Sequence, residues 1–253
     1  MGSGDATLIF SRNNSSWGSY FYDPKEDALR VNVKTRVLKE SVERLKYEFF
    51  NETDNSATVS LMWEKLEIPF KIEVDYVQTQ LQSFRNELRS DKGFRSDAWQ
   101  QAAQFAVDNN TSLEEALQWS DYSINAVFVG EKNFRNYATR AAVLNKLGRT
   151  AEADAAMKTA MPLANMQELH QYGRQLIQQK KNKEALEVFK LNAQKNPNNF
   201  TTYMGLARGY SANGDFANAL KNAQLALPLA PNPPSKDAAE KMIATLKAGK
   251  DVN

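Results

Sequence analysis

Residues 166–199 read MQELHQYGRQLIQQKKNKEALEVFKLNAQKNPNN, and residues 200–233 read FTTYMGLARGYSANGDFANALKNAQLALPLAPNP; the two share one 34-residue spacing. Gly173, Ala185, Phe189 and Pro197 set the small, apolar and closing positions of the first, and Ala207, Ala219, Ala226 and Pro231 those of the second. Pro197 and Pro231 stand 34 residues apart. Such a unit is two antiparallel helices, each too short to bury its apolar face alone. Small residues at the crossing let the backbones approach, and stacked neighbours close the core. Function is therefore expected on a surface that several units build together.

The spacing resembles the tetratricopeptide repeat. Further units follow on either side. Asn133-Phe134, Tyr137, Gly148 and Ala153 recur 66 residues later as Asn199-Phe200, Tyr203, Gly214 and Ala219. The expected organisation of residues 77–253 is a connecting helix, a degenerate repeat at 96–126, repeats at 134–165, 166–199 and 200–233, and a capping helix at 235–248 with a polar outer face.

Residues 1–76 carry a different period. Leu29, Val31 and Val33; Leu45, Tyr47 and Phe49; Val59, Leu61 and Trp63; and Leu66, Ile68, Phe70, Ile72 and Val74 alternate with polar residues, which predicts antiparallel strands with one face on a core. Five or six strands in a small sheet or partial sandwich are expected, with Pro69 on an edge strand. The fold class is α+β, an antiparallel sheet followed by an all-helical array. Met1-Gly2-Ser3-Gly4 reads as either a cloning remnant or a tight turn opening a chain that starts in mid-domain, in which case the sheet lacks its first strands.

Composition excludes several function classes. At 253 residues, 42% hydrophobic and 25% charged, the chain describes a folded protein with room for two modest cores. It has no cysteine, hence no disulfide, thiolate metal site or cysteine nucleophile. Net charge is +2, too small to indicate nucleic acid, with 10 basic against 13 acidic residues up to Tyr76 and 22 against 17 beyond it. No apolar run approaches the ~20 residues of a membrane span. His170 is the single histidine, and one imidazole without HExxH or related spacing predicts no metal. Glu26-Asp27 and Glu114-Glu115 are adjacent pairs that diverge instead of converging on a substrate, so no enzyme and no cofactor are expected.

Ser16-Trp17-Gly18-Ser19-Tyr20-Phe21-Tyr22, Lys25-Glu26-Asp27-Ala28-Leu29-Arg30-Val31 and Asn55-Ser56-Ala57-Thr58-Val59-Ser60-Leu61-Met62-Trp63-Glu64 resemble the bacterial family known as domain of unknown function 2911. The likeness extends to Leu113-Glu114-Glu115-Ala116-Leu117 and to Lys181-Asn182-Lys183-Glu184-Ala185-Leu186-Glu187-Val188-Phe189. That resemblance implies a protein of Bacteroidetes-type bacteria, periplasmic or otherwise exported, and implies no activity.

Two surfaces emerge as binding candidates. Arg174 and Arg208 are 34 residues apart, at the ninth position of successive first helices, which in the repeat family faces the concave groove. His170, Gln178 and Met204 are expected beside them, giving a weakly basic trough for a peptide or protein segment. The alternative is the aromatic run Trp17, Tyr20, Phe21 and Tyr22, where rings beside a sheet could stack on a ligand such as glycan, with the repeats as a spacer.

Overall fold

A computed structural model describes residues 4–253; Met1, Gly2 and Ser3, and with them most of the expected opening turn, lie outside the described residues. The chain forms two compact units, one ending at Phe84 and the other running from Arg85 to Asn253.

In the first unit, strand β1 (Asp5–Ser11) pairs antiparallel with β2 (Asp27–Lys34), and β3 (Arg36–Phe50) with β4 (Ser56–Glu73). Two two-stranded ladders thus take the place of the expected five- or six-stranded sheet. The last two alternating series belong to one strand of 18 residues. They read as separate runs because the pairing slips where Val42 meets Glu64, which adopts φ 50°. Extra residues on β3 are accommodated there as bulges, which bend the ribbon without ending it. Val59, Ser60 and Met62 are buried, and Ser60 donates to Glu67 Oε1 at 2.7 Å. Phe10 meets Phe70 edge to face, ring centres 5.9 Å apart. Leu29, Leu45, Tyr47, Phe49 and Trp63, expected on a core face, stay at least 50% exposed, since a two-stranded ribbon offers each face few neighbours.

Helices follow from Tyr76 onward: α1 (Tyr76–Glu87), α2 (Ser96–Asp108), α3 (Leu113–Asn125), α4 (Phe134–Lys146), α5 (Thr150–Ala160), α6 (Met166–Gln178), α7 (Asn182–Lys195), α8 (Phe200–Ala212), α9 (Phe216–Ala226) and α10 (Pro233–Lys247). No helix among the described residues is long and apolar enough to cross a membrane. The period change falls at Tyr76, whereas the division into compact units falls within α1, after Phe84.

Local chemistry sets the boundaries. Asn133, Asn165, Asn199 and Asn232 cap α4, α6, α8 and α10 with their side-chain oxygens, and Asn165 completes a capping box with Glu168. The turns after α2, α4, α6 and α8 share one form, with a left-handed residue at Asn110, Gly148, Lys180 and Gly214 and a backbone bond spanning the last turn, such as Lys181 N–H to Leu176 O at 2.9 Å.

Alanines make the crossings: Ala153, Ala185 and Ala219 are essentially inaccessible. Phe189, fully buried, inserts its ring between α6 and α8, and only glycine leaves room for it. A Cβ on Gly173 or Gly205 would fall 2.6 Å from the ring, and one on Gly209 would fall 2.8 Å from it. Amide bonds tie the turns of successive units together: Asn182 Nδ2 donates to Ala212 O at 2.6 Å, and Asn213 Nδ2 donates to Asn182 O at 2.8 Å. Near the start of the array, Asn136 is buried and its amide donates to Ser96 Oγ, Ser123 O and Glu131 O, each at 2.8 Å. Arg85 grips Glu115 through two guanidinium nitrogens, at 2.9 and 2.8 Å, so this carboxylate has a structural occupation.

Candidate functional site

Three first helices, α2, α4 and α6, line a trough of about 1270 Å³. Its lining mixes amide and charged side chains. Gln167, Gln171 and Gln175 recur every fourth residue along α6, and Gln100 and Gln104 do so on α2, a spacing that puts each set on one helical stripe. Gln100 Nε2 donates to Thr139 Oγ1 at 2.8 Å, and Thr139 Oγ1 donates to Gln104 Oε1 at 3.2 Å. This chain of bonds fixes the amide orientations on α2 against α4. A primary amide both donates and accepts, so the exposed stripe on α6 matches the alternating N–H and C=O of an extended backbone.

Of the residues singled out from sequence, Arg174 and Gln178 line this trough. His170 is turned inward, its ring centre 5.8 Å from that of Phe189. Its Nδ1 is buried without a hydrogen-bond partner among the described residues and would lie 3.2 Å from a Cβ on Gly205. Burial, with Arg208 and Arg174 nearby, depresses its pKa to about 4. His170 is therefore a neutral, partly buried residue that packs against Phe189.

Met204 also departs from expectation. It is 6% exposed and packs with Ala207, Ala219, Ala223, Ala239 and Met242 in the cluster that α8 shares with α9 and α10. Arg208 is partly buried, and it donates from Nη1 to Val252 O at 3.2 Å. Desolvation first, and then repulsion from Arg174, lower its pKa, while Asp251 acts in the opposite sense. The two arginines thus share one electrostatic neighbourhood but have different occupations: Arg174 faces open trough and Arg208 holds the chain's own tail. The glutamine stripes had a sequence signal, the i, i+4 recurrence; the tail contact had none.

On the strand-bearing unit, Trp17, Tyr20 and Phe21 are 85%, 83% and 78% exposed. Tyr22 is engaged separately. Its hydroxyl donates to Asp27 at 2.9 Å and accepts from the Arg30 guanidinium, tying the turn to the start of β2. No group of three or more His, Cys, Asp or Glu converges among the described residues in a way that could hold a metal ion.

Among solved structures, the chain is similar to YrrB, described as a TPR protein with an unusual peptide-binding site, at 19% identity over 65% of this chain and 84% of that one, with a TM-score of 0.39. It is also similar to MamA from Desulfovibrio magneticus RS-1, at 16% identity over 63% of this chain and 95% of that one, with a TM-score of 0.37. No curated protein matches. Residues 1–72 match the sequence model of the family described as "Protein of unknown function (DUF2911)".

Proposed function

We propose that this protein acts by binding, as a scaffold whose helical array holds an extended segment of another protein along the trough of α2, α4 and α6. The observation that carries this reading is the exposed row Gln167, Gln171 and Gln175 along α6, with Arg174 and Gln178 also in the trough lining. Amide pairing to a peptide backbone is tolerant of sequence, and Arg174 adds a preference for an acidic residue through a charge-assisted bond of about 1.5–3 kcal/mol. On this reading residues 77–253 form the binding part and residues 1–76 dock it within a larger assembly. An envelope location belongs to the same reading.

A photo-crosslinking residue at Gln171 in the full chain tests the binding. Incubated with an envelope extract, it should label a protein in wild type and lose that label in a Gln104→Ala/Gln175→Ala/Arg174→Ala variant that keeps its helical circular dichroism. Undiminished labelling in the variant would sink the reading. The exposure of Trp17, Tyr20 and Phe21 supports a second reading, in which these rings stack on a ligand such as glycan. Saturable quenching of tryptophan emission by oligosaccharide, abolished in Trp17→Ala and retained in the trough variant, would favour it.

A further inference from the structure

The stretch after α10 forms a recognition pattern with α8. Helix α10 ends in a Schellman turn: Gly249 adopts φ 69°, its N–H meets Leu246 O at 3.0 Å, and Lys250 N–H meets Thr245 O at 3.2 Å. The reversal lays Asp251, Val252 and Asn253 along α8. Ser211 Oγ donates to the Asp251 carboxylate at 2.6 Å and accepts from Val252 N–H at 3.1 Å. Arg208 Nη1 donates to Val252 O, and Asn253 Nδ2 donates to Arg208 O, both at 3.2 Å. The Val252 side chain packs on the apolar cluster that holds Met204 and Ala207.

A carboxylate, a backbone N–H and a backbone C=O are thus met by Ser211 and Arg208 of α8, and the aliphatic side chain by the apolar cluster that α8 shares with α9 and α10. We propose that this face of α8 is a binding subsite for an extended segment of a partner protein carrying an aspartate followed by a valine-sized aliphatic residue, and that Asp251, Val252 and Asn253 occupy it in cis. The charge sense agrees: an aspartate is drawn to a neighbourhood that already holds Arg174 and Arg208. Asp251 and Asn253 are exposed, and the stretch is held to α8 by hydrogen bonds and the Val252 contact alone, so it can leave without unpacking a helix. While bound it reduces the competent fraction, and a ligand's apparent affinity falls in proportion. This subsite lies outside the trough lining and does not rest on the trough reading.

The probe is a synthetic peptide with the sequence LKAGKDVN of residues 246–253, titrated to millimolar concentration into the ¹⁵N-labelled full chain. In Asp251→Ala/Val252→Ser, which frees the tail without touching a helix, amides of Arg208, Ser211 and Ala212 should shift saturably. The midpoint should be roughly tenfold lower than in wild type if the tail is bound about nine-tenths of the time. Adding Arg208→Ala and Ser211→Ala should abolish the shifts with the helical melt retained. Gln104→Ala, a trough substitution on α2, should leave them unchanged. Absence of shifts on α8 in the freed-tail variant, equal midpoints in the two proteins, or loss of the shifts in Gln104→Ala would each overturn the proposal. Light scattering reads the other occupant: a wild-type dimer abolished by Asp251→Ala/Val252→Ser would make the tail of a second copy the ligand and overturn occupancy in cis.

Discussion

Adding one methyl group at Gly173 tests whether the Phe189 ring is the wedge between α6 and α8. Elsewhere in a helix, Gly→Ala stabilises by about 0.5–1 kcal/mol through backbone entropy and propensity. Here the new Cβ would fall 2.6 Å from two ring carbons and 3.0 Å from a third. The ring cannot swing away, because Gly205 and Gly209 bring α8 against it as well and the side chain is fully buried. Overpacking of this kind costs roughly 1–3 kcal/mol, so Gly173→Ala should lose about 1–2 kcal/mol after the propensity gain. Phe189→Leu alone should cost a similar amount, by lost burial and an imperfectly filled cavity. Together they should cost less than the sum, with a coupling of about 0.5–3 kcal/mol, because the smaller side chain vacates the space the methyl needs. Urea unfolding followed by helical circular dichroism measures all four corners of the cycle. A neutral or stabilising Gly173→Ala, or strict additivity, would refute the wedge.

Ala185→Leu, at a fully buried crossing, should cost roughly 1–3 kcal/mol, and Lys183→Ala, on the exposed face, less than about 0.5 kcal/mol; equal shifts in urea midpoint would disprove the helix register. Lys180 occupies at φ 61° the turn position where Gly148 and Gly214 stand, so Lys180→Gly should stabilise by about 0.5–1 kcal/mol in thermal melts, and a loss would contradict it. The unfolded chain protonates His170 near pH 6.5 and the folded chain only near about 4, so the unfolded state binds more protons between these values and stability should fall as pH drops through that window, by up to about 3 kcal/mol. His170→Gln should flatten that part of the pH profile, and identical slopes in the two proteins would refute the assignment.

The helical array was legible because its grammar is local and repeated. Asparagine caps, left-handed turns and crossing alanines recur at equivalent points of successive units, and each specifies its own boundary. The strands were legible as alternation but not as a count, since Glu64 at φ 50° leaves no compositional mark of a bulge within a continuous strand. Among the groove residues, Arg174 and Gln178 follow from helical position alone. The surroundings of Met204 and Arg208 were not legible, because they depend on α10 and on residues more than 40 positions away, at Asp251 and Val252. His170 looked like a polar groove residue, yet the glycines that seat Phe189 also draw the imidazole inward. Position in a repeat fixes direction; neighbours fix exposure.

The amide bonds between Asn182 and Ala212 and between Asn213 and Asn182 bear on how an experiment with this protein is interpreted. Both partners in each bond are uncharged, so ionic strength has little leverage on the spacing between these two units. Raising salt therefore leaves the curvature of this stretch of the array in place while weakening any contact made through an exposed guanidinium. A salt titration of complex formation consequently reports on the ligand's own charges, free of a contribution from a scaffold that opens or closes with the buffer.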